Sequence, residues 1–268
     1  MRRFKEKYGS WAILAGSAEG LGEAFSRALA QRKMNLVMVD HQDEKMRKLA
    51  KQLEKEYGIS TRCIHLDLSD SNAAGKIMEV AGQVGCSLLI YNAAFSKVKL
   101  FLNSEPDELN SYIDVNCRTQ INLVHAFAQH LVGSGRPGGI ILMSSLAGLI
   151  GMQLVASYAA TKAFAWNLAE ALHYELKPNK IDVMACIAGA TATAAYLKTN
   201  PKYGWPKPAV MKPKEVAEQA LNKLGKKTLF IPGFSNRLNY FILTRMMPRK
   251  MAATLANKTM GKMYINQM

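Results

Sequence analysis

Ser145, Tyr158 and Lys162 are the residues of this chain whose types and spacing could do chemistry. Tyr158 and Lys162 stand at i and i+4, so on a helix they lie one above the other on one face. A phenol is a poor acid–base group at neutral pH because its ordinary pKa is about 10. An ammonium one turn away favours the phenolate and pulls that value down. Bringing it near neutrality takes roughly 4 kcal/mol of differential stabilisation, which a lysine cation and a second positive charge together can supply. Ser145 could then hold a substrate oxygen while Tyr158 exchanges a proton with it. The same Tyr-x-x-x-Lys spacing also arises on amphipathic helices with no catalytic role, so the surrounding elements must decide.

Those elements alternate. Residues 11–15 form a short apolar strand, and Phe25, Leu29 and Ala30 follow at helical spacing. Residues 36–39 predict a second strand closed by Asp40. Met46, Leu49, Ala50, Leu53 and Tyr57 then predict a helix that Gly58 ends. Strands are expected at 62–66, 88–91, 139–144, 181–187 and 229–231, and helices at 72–84, 106–131 and 216–224. The alanine-rich run around Tyr158 predicts a helix that continues to Leu176, just ahead of Pro178. Alternation of this kind predicts an α/β fold: a Rossmann-like, doubly wound parallel sheet of about seven strands with helices on both faces. With no linker or internal repeat, residues 1–268 are expected to form one domain.

The first strand leads into Gly16-Ser17-Ala18-Glu19-Gly20-Leu21-Gly22. Between a strand and a helix, such glycines let bare backbone and helix-end N–H groups approach a pyrophosphate. Gly16, Ser17, Gly20, Leu21 and Gly22 are therefore expected to hold a dinucleotide. Asp40 lies eighteen residues past Gly22, at the end of the next strand, where an acid can accept ribose hydroxyls. Its carboxylate, with Glu19 in the loop, would repel a 2′-phosphate and favours NAD over NADP. His41, Lys45 and Arg47 argue the other way. A turn or capping role for Asp40 is the alternative.

At 268 residues and 49% hydrophobic, the chain is long enough for a large buried core. Four cysteines without a C-x-x-C pair read as thiols of a reducing compartment. The five histidines form no metal-binding motif, so no metal is expected. With no secretory pattern and no run of membrane-spanning length, a cytoplasmic location is expected. The formal charge of +15 is uneven: past Glu218 there is no acid, while nine lysines and arginines follow. That asymmetry reads either as a solvated tail or as an anionic partner such as a phospholipid surface. No nucleic-acid partner is expected, because the aromatic–basic alternation of a base-stacking surface is missing outside the lid region and tail.

Together these residues resemble the short-chain dehydrogenase/reductase family, from about residue 8 to 231. The family's T-G-x-x-x-G-x-G appears as Ala15 to Gly22, its adenine-contacting acid as Asp67 beside Leu68, and its N-N-A-G turn as Tyr91-Asn92-Ala93-Ala94. Its active-site asparagine, serine, tyrosine and lysine fall on Asn116, Ser145, Tyr158 and Lys162. Its P-G motif appears as Ala188-Gly189, with Thr193 at the family's threonine. Ala15, Tyr91 and Ala188 depart from the family pattern at positions that bear on cofactor affinity. The opening Lys7-Tyr8-Gly9-Ser10-Trp11-Ala12 is similar to the subgroup of 17β-hydroxysteroid dehydrogenases and 3-oxoacyl-CoA reductases.

The resemblance implies hydride transfer between a nicotinamide cofactor and a carbinol or carbonyl carbon. Asp67, Leu68, Asn92, Ala93, Gly189 and Thr193 would join the glycine loop in holding the cofactor, and Lys162 would grip its ribose. Asn116 would support a water-linked proton path through Lys162. A substrate lid is implied near 193–213, where Tyr196, Leu197, Tyr203 and Trp205 suggest a lipophilic ligand such as a steroid or fatty acyl compound. The extension near 234–268, with Tyr240, Phe241, Ile242, Met246 and Met247 among bases, either covers the substrate pocket or lies on an anionic membrane. Relatives are commonly dimers or tetramers. A non-catalytic nucleotide sensor on the same fold is the alternative function, though it would have no need of Ser145, Tyr158 and Lys162 together.

Overall fold

In a computed structural model, which describes residues 2–203 and 208–264, seven strands form one sheet in the order β3-β2-β1-β4-β5-β6-β7. After a short helix α1 (Arg2–Tyr8), β1 (Trp11–Ala15), β2 (Asn35–Asp40), β3 (Thr61–His65) and β4 (Leu88–Tyr91) alternate with α2 (Gly20–Gln31), α3 (Asp43–Tyr57) and α4 (Ala73–Val84). The second half carries α5 (Pro106–Ile113), α6 (Thr119–Ser134), β5 (Gly138–Ser145), α7 (Ala156–Leu176), β6 (Ile181–Ala188), α8 (Ala194–Lys198), α9 (Pro213–Lys223) and β7 (Leu229–Phe230). Two further helices close the chain, α10 (Phe234–Phe241) and α11 (Arg249–Met263).

Pairing is parallel between all neighbours. Such a sheet buries both faces, which is why β4 is the unbroken apolar run Leu88-Leu89-Ile90-Tyr91, every residue buried. Side chains alternate across the sheet. On one face Leu14, Phe25, Leu29, Met38 and Leu53 pack with α9; on the other Ile13, Val37, Leu89, Phe127 and Val183 pack with α4 and α6. Strand order reverses direction between β1 and β4. In an open sheet of this kind the crevice for a ligand lies outside the carboxyl ends of the strands at that point.

Most expected elements are present within a residue or two. The expected helix over 106–131 is the main difference. It is two α-helices, α5 and α6, joined through a π-helical turn at Asp114–Arg118 that contains Asn116. Such turns are frequent at functional sites, and periodicity over five residues is too short to reveal one. The last strand stops at Phe230, one residue early.

The segment after β6 is pinned at its base. Thr191 bridges Met211, Ala192 N–H donates to the Met211 carbonyl at 2.9 Å and Met211 N–H to the Ala190 carbonyl at 2.9 Å. Between them, in the segment expected as a lid, α8 carries Tyr196, whose hydroxyl meets that of Tyr203 at 2.8 Å. Trp205 of the expected lid lies outside the described residues.

Candidate active site

The glycine loop between β1 and α2 is built on backbone contact. Gly16 has φ +79, and a Cβ there would sit 2.7 Å from the Ala93 backbone; a Cβ on Gly22 would fall 1.9 Å from the Gly16 carbonyl oxygen. Only bare backbone fits either place. Asn92 fastens the loop to β4, its side-chain amide donating to the Gly16 carbonyl at 2.7 Å. Ala15, which lacks the family's hydroxyl, still anchors the turn through its carbonyl, accepting from the N–H groups of Asn92 and Ala93, each at 2.9 Å.

Beside this loop lies a cleft of about 420 Å³, bordered by Gly16, Gly20 and Leu21 at one end and by Asp40, Asp67 and Leu68 at the other. Asn92, Ala93 and Thr193 complete its wall. Thr193 also caps α8, its hydroxyl accepting from Tyr196 N–H at 3.1 Å. Three expected cofactor residues act behind the wall. Ser17 is buried with its hydroxyl on the Val39 carbonyl, Gly22 packs on Gly16, and Gly189 packs on the Asn236 amide. The cleft follows an open helix N-terminus at one end and carboxylates at the other, a shape and donor set that fit a dinucleotide.

Asp40 is 6% exposed and doubly held: Ala18 N–H donates to Oδ2 at 2.8 Å and Gln42 N–H to Oδ1 at 3.0 Å. It therefore braces the loop as well as bordering the cleft, and both readings of the residue have a structural basis. The neighbouring bases are engaged. Lys45 pairs with Glu19 at 2.9 Å, and Arg47 with Asp43 at 2.8 Å. The Lys45 hydrogen bond holds the Glu19 carboxyl below its ordinary value. Asp67 accepts from the N–H and hydroxyl of Ser69 and is exposed at the cleft rim.

The reactive end is set by β5 and α7. Ser145 ends β5, its hydroxyl accepting from Ala147 N–H at 3.2 Å, close enough to the Tyr158 phenol to favour its ionised form. The strand's register continues to Ser145 opposite Ala188, so the alanine at the family's proline position extends β6. Lys162 is 3% exposed, its ammonium donating to the Met143 carbonyl at 2.9 Å and lying 5.6 Å from the centre of the Tyr158 ring. Close packing makes this arrangement: a Cβ on Gly148 would meet the Lys162 carbonyl carbon at 2.6 Å, and the Ser144 hydroxyl donates to the Lys162 carbonyl at 2.7 Å.

The proton affinities are set by burial. Burial pushes the Tyr158 phenol above its ordinary value, with the Ser145 hydroxyl pulling against it. Burial also lowers Lys162 to about 8. Desolvation disfavours the charged form of both groups. The protein alone thus keeps Tyr158 protonated, whereas the expected lowering of the phenol draws on a second positive charge beside Lys162.

Asn116 is 1% exposed in the π-helical turn. Its carbonyl accepts from Phe95 N–H at 2.7 Å, and its amide donates to the Phe95 carbonyl at 3.0 Å and the Thr161 hydroxyl at 2.9 Å. The side chain clamps the loop after β4 to α7. Phe95 and Thr161 belong to this framework and were not singled out from sequence, whereas Tyr91 was noted only for its departure from the N-N-A-G turn. Thr161 stands within the Tyr-x-x-x-Lys stretch and could have been noticed there.

The profile of the family described as short chain dehydrogenase matches residues 10–204. A 7beta-hydroxysteroid dehydrogenase of Clostridium sardiniense is 32% identical over 87% of this chain and 89% of its own. A very-long-chain 3-oxoacyl-CoA reductase of Podospora anserina is 29% identical over 84% of this chain and 66% of its own. A solved structure from work on 7beta-hydroxysteroid dehydrogenase stereoselectivity superposes with a TM-score of 0.85 at 25% identity, covering 94% of this chain and 98% of the other. The chain belongs to the short-chain dehydrogenase family. It is an oxidoreductase that interconverts an alcohol and a ketone with a nicotinamide cofactor.

Proposed function

We propose that Tyr158 is the acid–base residue of an NAD-dependent reaction on a lipophilic secondary alcohol or ketone, with a hydroxysteroid as the first substrate class and a 3-oxoacyl compound as the second. The observation that carries this reading is the buried Lys162 ammonium 5.6 Å from the centre of the Tyr158 ring, at the end of β5 where Ser145 stands. The names of the relatives supply the substrate classes.

When bound, the nicotinamide ring accepts or supplies the hydride. The protein's residues handle the proton. Ser145 holds the substrate oxygen within reach of the phenol. In reduction the Tyr158 hydroxyl gives its proton to that oxygen; in oxidation the phenolate takes it back. Lys162 places a positive charge beneath the phenolate that reduction leaves behind. Asn116 positions the site by locking the Phe95 loop to α7 and would support a water-linked proton path through Lys162.

NAD is favoured because Asp40 borders the cleft, whereas Lys45 and Arg47, the nearby cations, are each paired with a carboxylate. A 2′-phosphate would meet the Asp40 carboxylate there, with His41 beside it at 3.4 Å as a group that argues the other way. Exposed Ile121 and Val132 on α6 and Tyr174 on α7 favour self-association into a dimer or tetramer, which light scattering would measure.

The test is steady-state turnover of a panel of hydroxysteroids with NAD, comparing the native protein with Tyr158→Phe. The variant should bind NADH as the native protein does, by nicotinamide fluorescence, and lose turnover by roughly 100-fold or more. Near-native turnover would remove Tyr158 from the mechanism. Turnover of acyl but not steroid substrates would select the second class.

A further inference from the structure

The geometry points to an anionic phospholipid bilayer as the partner of the face formed by the last two helices, α10 and α11. Four observations carry this, and none depends on which substrate the enzyme takes.

The first is an exposed apolar stripe on each helix. Phe234, Leu238 and Phe241 stand at i, i+4 and i+7 on α10, exposed by 72%, 47% and 53%. Met251 and Leu255 stand at i and i+4 on α11, while Ala252 and Ala256 on its other side are buried against Ile150. Met246, between the helices, is 68% exposed.

The second is charge. Arg245, Arg249, Lys250, Lys258 and Lys262 flank these stripes and are exposed. Among the described residues no carboxylate pairs with any of the five. No acid occurs in the sequence after Glu218. Large apolar side chains among unpaired bases match a surface that is apolar within and anionic outside. A second copy meeting this face through its own equivalent would set bases against bases.

The third is a second apolar projection fastened to the same loop. Leu102 is 92% exposed and Phe101 56%. Their segment is tied to the loop after Ser145 through Lys99 N–H on the Leu154 carbonyl at 2.9 Å. Helix α11 is tied to that loop one residue earlier, Gln153 N–H donating to the Asn257 side chain at 2.7 Å. Both apolar features therefore hang from one loop.

The fourth is the link to the lid. Lys202 N–H donates to the Met263 carbonyl at 2.9 Å, and the Thr199 and Tyr264 hydroxyls meet at 2.9 Å. A bilayer contact at α11 would thus lie next to the segment over the substrate side.

The experiment is co-flotation of the full chain with vesicles of phosphatidylcholine alone and of phosphatidylcholine with phosphatidylglycerol, at low and high salt. The expected result is binding to the anionic vesicles only, weakened by salt. Arg245→Gln, Arg249→Gln and Lys250→Gln together should weaken it roughly 100-fold. Phe234→Ser with Phe241→Ser should abolish it while NADH binding is retained, which shows that the variant is folded. Absence of flotation, flotation equal for both vesicle types, or flotation unchanged in the variants would overturn the proposal. So would loss of an oligomer in the Phe234→Ser, Phe241→Ser variant without vesicle binding by the native chain, because the face would then be a subunit contact.

Discussion

The Tyr91 hydroxyl donates to the Val115 carbonyl at 2.6 Å, joining the end of β4 to the π-helical turn immediately before Asn116. Tyr91 is fully buried, and burial drives its phenol far above the ordinary value, so it stays a neutral donor at any working pH. The residue that departs from the family's asparagine therefore holds the turn that carries Asn116. Tyr91→Phe keeps the ring and removes only the oxygen. It should cost about 1–2 kcal/mol in urea unfolding and lower kcat with little change in NADH affinity. An unchanged unfolding midpoint would show that the turn is held by its helix alone.

Ketone reduction needs the proton on Tyr158 and the charge on Lys162. The first is secured by the raised phenol and the second is present below about 8, where burial sets the ammonium even though Cys117 opposes the shift. The rate of reduction should be level from slightly acidic pH and fall as pH rises through about 8. Oxidation, which needs the phenolate beside a charged Lys162, should climb with pH up to about 8 and level off as Lys162 loses its proton. A reduction profile that falls towards acid instead would mean that another group controls the proton.

Asp40→Ser removes the carboxylate that borders the cleft and leaves a small hydroxyl. It also removes the acceptor of Ala18 N–H, so a loss of about 1–2 kcal/mol in stability is expected. The ratio of NADH to NADPH affinity should fall by about 10-fold or more, since a charge-assisted hydrogen bond to the ribose is lost and a repulsion relieved. Paired fluorescence titrations measure both. An unchanged ratio would confine Asp40 to bracing the loop.

Gly148→Ala drives a methyl group into the backbone of α7 at Lys162 and Ala163, at 2.6 and 2.7 Å. Neither backbone can yield locally, so overpacking of about 1–3 kcal/mol is expected. Because the clash separates the Ser145 turn from the Tyr158 helix, kcat should drop more than cofactor affinity. Native kcat with only reduced stability would show that Ser145 and Tyr158 tolerate the separation.

Much of this protein was legible in its sequence because the signals are local. Unbroken apolar runs such as residues 88–91 specify a parallel strand buried on both faces, and Met46, Leu49, Leu53 specify one face of α3. The i, i+4 relation brings Tyr158 and Lys162 together on any helix, and the order of the motifs identifies the family. Tertiary structure alone decided what depends on partners distant in sequence. The π-helical turn at Asn116 is fixed by Tyr91 and Phe95, more than twenty residues away, as the hydrogen bonds require. The engagement of Lys45 by Glu19 is a contact across 26 residues that no spacing rule contains. The raised phenol of Tyr158 is a desolvation effect, and desolvation is set by everything packed around a group rather than by the residues beside it in the chain.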